Sequence, residues 1–125
     1  MDGPSEGVNT RGIAIEPAGS VVAFGYENDV LRWDLHRNDR LAVLSGHDQP
    51  VNSIAFSPNG DRLISGGEDK TIRVWNPVTG DLMLTLRGQD SEVESLGFSP
   101  DGSTIVAVYA DGAVWSWHSM QAADP

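Results

Sequence analysis

Tryptophan recurs in this chain at a fixed interval, and that interval limits the possible folds more than any other feature of the sequence. Trp33, Trp75 and Trp117 are each separated by 42 residues. The turn sequence SPNG at 57–60 returns as SPDG at 99–102, again 42 residues later. A period of about 40–45 residues is typical of stacked β repeats, in which each unit packs against its neighbours. The pattern therefore predicts three copies of one unit, of which the middle copy is the clearest.

Each copy contains short runs of β-branched and apolar residues separated by turn sequences, which predicts an antiparallel meander of four strands, a to d. The turn sequences at 57–60 and 76–80 combine Pro with Gly, which favours chain reversal. No helical periodicity is evident, so the predicted fold class is all-β. The predicted strands lie near 13–15, 20–25, 29–33 and 41–44, then 51–56, 62–66, 71–75 and 82–86, and finally 93–98, 104–108 and 113–117.

The third copy is expected to lack its outer strand. By its distance from the tryptophan, strand d would begin near Ala123, where three residues remain. The predicted organisation is a polar leader over 1–7, followed by repeat units over 8–45, 46–87 and 88–125.

The charge of the chain excludes some classes of partner. Net charge is −10, from 18 acidic and 8 basic residues, and no Lys or Arg follows residue 88. Such a surface repels phosphate, which disfavours nucleic-acid binding. It suits a basic protein partner, although solubility alone also explains an acidic surface.

Cysteine and histidine usage excludes several kinds of site. The chain has no cysteine, and therefore neither disulfides nor thiolate zinc sites. Its three histidines fall in different repeats without metal-ligand spacing, so we expect no metal and no cofactor. No apolar run approaches the roughly 18 residues of a membrane span, and the start does not resemble a signal peptide. We expect a cytoplasmic protein that does not contact membranes.

The middle copy resembles the WD40 repeat, a β-propeller family, in four segments: GH at 46–47, SPNG at 57–60, LISGGEDKTIRVW at 63–75, and the 42-residue interval. The Trp-Asp dipeptide that marks the family stands at 33–34 and is replaced by Trp-Asn at 75–76 and Trp-His at 117–118. The resemblance implies three antiparallel propeller blades, the last without its outer strand.

The resemblance also implies a structural hydrogen-bond tetrad, which by position would consist of His47, Ser65, Asp69 and Trp75. A buried network of this kind fixes one packing arrangement when every group has a partner. The same positions map to Gln89, Ala107, Asp111 and Trp117 in the third copy, and to about Glu6, Ala23, Glu27 and Trp33 in the first. His, Ser and Asp also form hydrolytic triads, but no G-x-S-x-G motif is present, and a feature placed by the repeat is expected to be structural.

WD40 propellers act mainly as non-catalytic scaffolds for protein–protein interaction, which is the function that the resemblance implies here. The binding face of the family is formed by the d–a and b–c loops. In this chain that face would present Tyr26, Asn28, Asp48, Gln49, Glu68, Lys70, Asp90, Glu92 and Tyr109. Aromatic residues are enriched at binding hot spots, which makes the two tyrosines candidates.

Two other functions stay open at this stage. Trp115 and the tyrosines are compatible with a small carbohydrate-binding propeller assembled from short chains, although for Trp115 a contact with the neighbouring blade is the favoured explanation. A regulatory or sensor segment of a larger signalling protein is the third interpretation. No motif favours an enzyme.

Three blades do not close a ring, because propellers typically have about four to eight. The end blades would expose apolar faces. Either further blades complete the ring in a longer chain, or copies associate into a homo-oligomer with six or nine blades.

Overall fold

The computed structural model describes residues 10–87 and 89–118. The leader predicted at 1–7 and the region near residue 123, where the outer strand was expected to be missing, lie outside the described residues. The described residues form eleven β-strands and no helix: β1 Thr10–Ile15, β2 Val21–Tyr26, β3 Asp29–Asp34, β4 Asp39–Ser45, β5 Val51–Phe56, β6 Leu63–Gly67, β7 Ile72–Trp75, β8 Leu82–Leu86, β9 Val93–Phe98, β10 Thr104–Tyr109 and β11 Val114–His118.

The strands form three antiparallel sheets, each a meander of neighbours in sequence: β1 to β4, β5 to β8, and β9 to β11. The all-β class is confirmed, and the sheets are blades of a propeller that is not closed. The predicted turn at 57–60 also forms: the N–H of Gly60 donates to the carbonyl of Ser57, and Gly60 has a φ of 80°. That conformation carries little steric cost in glycine, which explains its place in the repeated turn.

The three blades pack face to face, with the inner strands β1, β5 and β9 side by side. One core lies between blades 1 and 2, and a second lies between blades 2 and 3. We call the face of each blade that bears its periodic tryptophan the leading face, and the opposite face the trailing face. The leading face of blade 2 covers the trailing face of blade 1, and the leading face of blade 3 covers the trailing face of blade 2.

Two faces have no blade against them among the described residues. On the leading face of blade 1, Ile13 is 70% exposed and Ile15 is 63% exposed. On the trailing face of blade 3, Val114 is 65% exposed, and Val106 and Val108 are more than a third exposed. The described part of the chain also contains no helix that could span a membrane.

Candidate functional site

The structure brings His47, Ser65, Asp69 and Trp75 together in blade 2. Nδ1 of His47 lies 2.9 Å from a carboxylate oxygen of Asp69, and Nε2 lies 2.7 Å from Oγ of Ser65. The indole N–H of Trp75 donates to the same Ser65 Oγ at 2.8 Å. Because an ionised carboxylate can only accept, a neutral His47 carries its proton on Nδ1, and the Ser65 hydroxyl donates to Nε2. Every polar group of the tetrad therefore has a partner.

Asp69 is the most heavily bonded member, and Thr71 is a partner that the sequence analysis missed. The Thr71 hydroxyl donates to Asp69 at 2.8 Å, and the backbone N–H of Asp48 donates to it at 3.1 Å. Burial alone would raise the pKa of Asp69. The hydrogen bond and charge interaction with His47 and the hydrogen bonds from Thr71 and Asp48 outweigh burial, and they lower this pKa well below its ordinary value of 3.8. A hydroxyl two residues after an aspartate is the local signal that could have identified Thr71.

Two glycines leave room for the side chains of the tetrad. A Cβ on Gly46 would come within 3.1 Å of the Trp75 ring, and a Cβ on Gly67 would come within 3.2 Å of Nδ1 of His47. The Gly-His dipeptide at 46–47 therefore has a steric reason. Only a residue without a side chain lets the loop carry the imidazole into the blade.

Blade 3 replaces the tetrad with a smaller network. Gln89 takes the place of histidine and donates to Asp111 at 2.6 Å. The indole N–H of Trp115, and not that of the periodic Trp117, donates to the side-chain oxygen Oε1 of Gln89 at 2.9 Å. The two indole rings stack with centroids 6.1 Å apart. Ala107 is buried and supplies no hydroxyl.

In blade 1 the sequence mapping onto Ala23 was wrong. Strand pairing sets Trp33 opposite Val22, as it sets Trp75 opposite Leu63. The turn between b and c is shorter by one residue in blade 1, so the position of Ser65 falls on Phe24, and Ala23 lies on the other face. The phenyl group offers no acceptor, and the Trp33 indole N–H donates instead to Asn38 on the surface, at 3.2 Å. Glu6 lies outside the described residues.

The tetrad has the components of a hydrolytic triad but not its access. Ser65 is fully buried, and its Oγ already contacts both His47 and Trp75. A nucleophile must be reachable by the substrate and bonded to a base in that state. The arrangement fits a role in packing the blade against its neighbour.

The predicted loop face is held together by contacts that cross the seams between blades. Lys70 and Asp90 form an ion pair at 2.6 Å between blades 2 and 3, and Asn28 donates to the carbonyl of Asp48 at 3.3 Å between blades 1 and 2. Glu68 pairs with Arg11 of blade 1 at 3.1 Å. Gln49 and Glu92 are exposed, and Tyr26 is half-buried. The contacts therefore place the paired residues at the seams between blades, and a role of this face in binding stays a prediction.

The family comparison decides the classification. The model described as "WD domain, G-beta repeat" (WD40) matches residues 38–76 and 80–118, together more than half of the chain. The chain belongs to the WD40 repeat family. Each matched segment of this WD40 chain starts at strand d of one blade and ends at strand c of the next, so the repeat in sequence and the blade in space are offset by one strand.

Curated relatives match only part of the WD40 chain. The Periodic tryptophan protein 2 homolog of Neurospora crassa is 42% identical over 64 residues, half of this chain and 7% of the relative. Periodic tryptophan protein 2 of Saccharomyces cerevisiae is 36% identical over 72 residues, 56% of this chain and 8% of the relative. Lissencephaly-1 homolog 1 of Paramecium tetraurelia is 35% identical over 60 residues, 48% of this chain and 15% of the relative. WD40 repeat proteins are in general non-enzymatic scaffolds for protein interaction.

Tyr109 corrects the predicted binding face of the WD40 blades. Its side chain is 1% exposed and packs in the core between blades 2 and 3, against residues such as Ile72 and Val93. It therefore does not offer its ring to a partner. The predicted strand b ends at residue 108 and places Tyr109 in the b–c loop, whereas β10 continues through Tyr109. Its side chain therefore follows Ile105 and Ala107 on the face of β10 that packs on blade 2.

A depression of about 580 Å³ opens on the loop face at the seam between WD40 blades 1 and 2. No Lys or Arg is among the residues that line it, which are Glu27, Asn28, Asp29, Ser45, Gly46, His47, Asp48 and Pro50. Glu27 has a φ of 54°, which turns the b–c loop toward the seam, and its carbonyl accepts the Val51 N–H at 2.8 Å. Within 10–87 and 89–118 no group of three or more His, Asp or Glu is arranged to hold a metal ion.

Proposed function

We propose that this chain is a non-catalytic protein-interaction scaffold whose loop face binds a basic segment of a partner protein. The observation that carries the proposal is the depression at the seam between blades 1 and 2. It is concave, it lies on the loop face, and Glu27, Asp29 and Asp48 line it without a lysine or arginine beside them. A recess of this kind favours a lysine or arginine side chain by charge.

Charge pairing nearby leaves the recess negative. Lys70 is within 2.6 Å of Asp90, and Arg11 is within 3.1 Å of Glu68. Arg73, which lies beside Gly46, is within 3.9 Å of Asp69, so these three cations each have an acid beside them. Glu27 and Asp48 form no ion pair with any described residue. Their carboxylates are the groups that a basic partner would meet first.

The proposal is tested with defined peptides and fluorescence anisotropy. An eight-residue peptide of alternating Lys and Ser is expected to bind, whereas the same peptide with Gln for Lys is not. Raising the salt from 0.05 to about 0.5 M is expected to weaken binding strongly, since exposed charges are then screened. Equal binding of both peptides would contradict the proposal.

Matched variants locate the contact. The double variant Glu27→Gln with Asp48→Asn is expected to bind the basic peptide about tenfold more weakly, because each exposed ion pair contributes up to about 1 kcal/mol. The control, Asp39→Asn with Asp61→Asn, removes the same charge from exposed positions outside the recess and is expected to keep the wild-type affinity. If both double variants lose the same affinity, the net charge of the chain is the cause and not the recess.

A cytoplasmic location is part of the same proposal. It is supported by the absence of cysteine, which suits a reducing compartment. Cell fractionation with antibodies against the chain tests it, and recovery outside the cytoplasmic fraction would contradict it.

Carbohydrate binding is the second candidate, and Trp115 is the observation that favours it. The Trp115 side chain is 39% exposed and is held in place by stacking on Trp117. The burial of Tyr109 removes one of the three aromatic residues that suggested this function. A glycan array with hits that Trp115→Ala abolishes would favour this candidate over the protein scaffold.

A further inference from the structure

The uncovered leading face of blade 1 has the composition of a buried one. Strand pairing aligns its residues with covered positions of blade 2: Ile13 with Ile54, Ile15 with Phe56, Val22 with Leu63 and Trp33 with Trp75. The blade 2 residues pack on blade 1, and Leu63 and Trp75 are almost fully buried there. At the position of Ser65, blade 1 carries Phe24, so its face is even more apolar. The face is built for contact with the trailing face of a preceding blade.

The complementary surface lies at the other end of the same molecule. The trailing face of blade 2 presents Ile64 and Ile72 to the core that it shares with blade 3. The same positions on the trailing face of blade 3 are Val106 and Val114, which are exposed. The described chain thus offers a leading face without a trailing partner, and a trailing face without a leading partner.

Charges along the inner strands distinguish a second copy from an arbitrary apolar partner. Equivalent positions of β1, β5 and β9 carry Arg11, Asn52 and Glu94. Arg11 donates to the side chain of Asn52 at 2.8 Å across the first seam, and Asn52 donates to the carbonyl of Val93 at 2.9 Å across the second. In both seams this position contacts the inner strand of the next blade. If blade 1 of a second copy followed blade 3, the same geometry would bring Glu94 of one copy beside Arg11 of the next. Glu94 is exposed and has no ion pair among the described residues.

We infer that a second copy of this chain docks head to tail, with the trailing face of blade 3 on the leading face of blade 1. Two copies of the three described blades provide six blades, which lies within the range of about four to eight in closed propellers. Because the contact is heterologous, the ring closes only when each copy uses both end faces. This inference is independent of the basic partner proposed above.

The proposed contact between copies differs from the two blade–blade contacts within the chain at one position on the trailing face, where valine replaces glycine. Gly25 and Gly66 stand at the trailing position where a Cβ would press on the next blade; for Gly66 that Cβ would lie 2.4 Å from Val93. Blade 3 carries Val108 at this position. The added side chain holds the copies further apart, so we expect an assembly that dissociates on dilution. Val108→Gly is expected to tighten it.

Light scattering on a sizing column tests the inference across a range of concentrations. The 125-residue chain is expected to elute with the mass of two copies and to dissociate on dilution. Ile13→Asp is expected to raise the dissociation constant at least tenfold, while Val78→Asp, which changes an equally exposed apolar residue in a turn away from both end faces, leaves it unchanged. Glu94→Arg is expected to act like Ile13→Asp, and Asp39→Arg, with the same change in charge, is its control.

Cross-linking tests the register of the contact. The N–H of Leu96 donates to the hydroxyl of Ser53 at 3.3 Å across the second seam, and the corresponding pair between copies is Ile13 with Ser95. Because the chain has no cysteine, a variant with Ile13→Cys and Ser95→Cys reports this contact alone. Oxidation is expected to give a covalent ring of two copies, and neither single variant closes it.

A chain that stays monomeric at high concentration overturns the inference. Aggregation that is equally strong in Ile13→Asp and Val78→Asp overturns it as well. Circular dichroism of every variant verifies that the β structure is retained.

Discussion

Nε2 of His47 lies 2.7 Å from Oγ of Ser65, and this contact connects the loop between blades 1 and 2 to the middle of a buried strand. Ser65 also receives the N–H of Trp75, so one hydroxyl serves two buried groups. Removing it leaves both without a partner in a place where water cannot substitute.

We therefore expect Ser65→Ala to reduce the free energy of unfolding by about 1–3 kcal/mol, the penalty for leaving buried polar groups unpaired. Urea denaturation followed by circular dichroism measures the change. Ser116→Ala, an exposed serine on β11, is the matched control and, at low concentration where single chains prevail, is expected to change stability by less than about 0.5 kcal/mol. Equal effects of the two variants would mean that the tetrad does not stabilise blade 2.

Trp33 and Trp75 provide a comparison of one chemical change in two environments. Trp75 donates to a buried hydroxyl, whereas Trp33 donates to exposed Asn38. Trp75→Phe is expected to cost about 2–4 kcal/mol, since it leaves a gap and an unpaired hydroxyl. Trp33→Phe is expected to cost less than about 1 kcal/mol. Unfolding in urea, measured at low concentration where single chains prevail, separates the two, and a larger loss for Trp33→Phe would contradict the assignment.

Acid is expected to weaken the fold through Asp69. Its pKa is lower in the folded chain than its ordinary value of 3.8, because the bonds from His47, Thr71 and Asp48 outweigh the effect of burial. The stability that this shift contributes is present above the unfolded pKa and is lost as the pH falls through the folded one.

The urea midpoint of the wild type is therefore expected to fall between pH 5 and pH 3 more steeply than that of Asp69→Asn. The gap in stability between the two proteins should narrow over the same range. Parallel curves would show that the carboxylate of Asp69 is not the group responsible.

Gly66 limits how closely blades 2 and 3 approach. A Cβ at this position would lie 2.4 Å from a methyl carbon of Val93 and 2.8 Å from one of Leu96. Gly66→Ala is expected to cost about 1–3 kcal/mol through overpacking. Gly97→Ala is the control, since no atom lies within 4 Å of the added carbon and Ala55 occupies the corresponding position in blade 2. If Gly66→Ala leaves the free energy of unfolding in urea unchanged, this seam is looser than the structure shows.

The repeat was sufficient to predict most of the strands, because its turns mark both ends of each run. The bounds of β5, β8 and β9 agree with the prediction to the residue. The tetrad residues could be named because their spacing in blade 2 follows the family pattern.

Other features depend on register, which the sequence does not display. The shorter b–c turn of blade 1 moves Phe24 into the position assigned to Ala23. Tyr109 was expected in a loop, but β10 extends to it, and pairing as a strand turns its side chain toward blade 2. The role of Gln89 as bridge between Asp111 and Trp115 arises because glutamine offers a donor and an acceptor on one amide. Only the pairing of the strands within each blade reveals these features.

The half-buried Trp33 has a practical consequence for following this molecule in solution. Its indole stands on the leading face of blade 1, whereas Trp75 is already enclosed within the chain. Covering that face would shift the emission of Trp33 to shorter wavelength and shield it from iodide, while Trp75 would report no change. The fluorescence of Trp33 thus reports whether the leading face of blade 1 is covered, without an added dye.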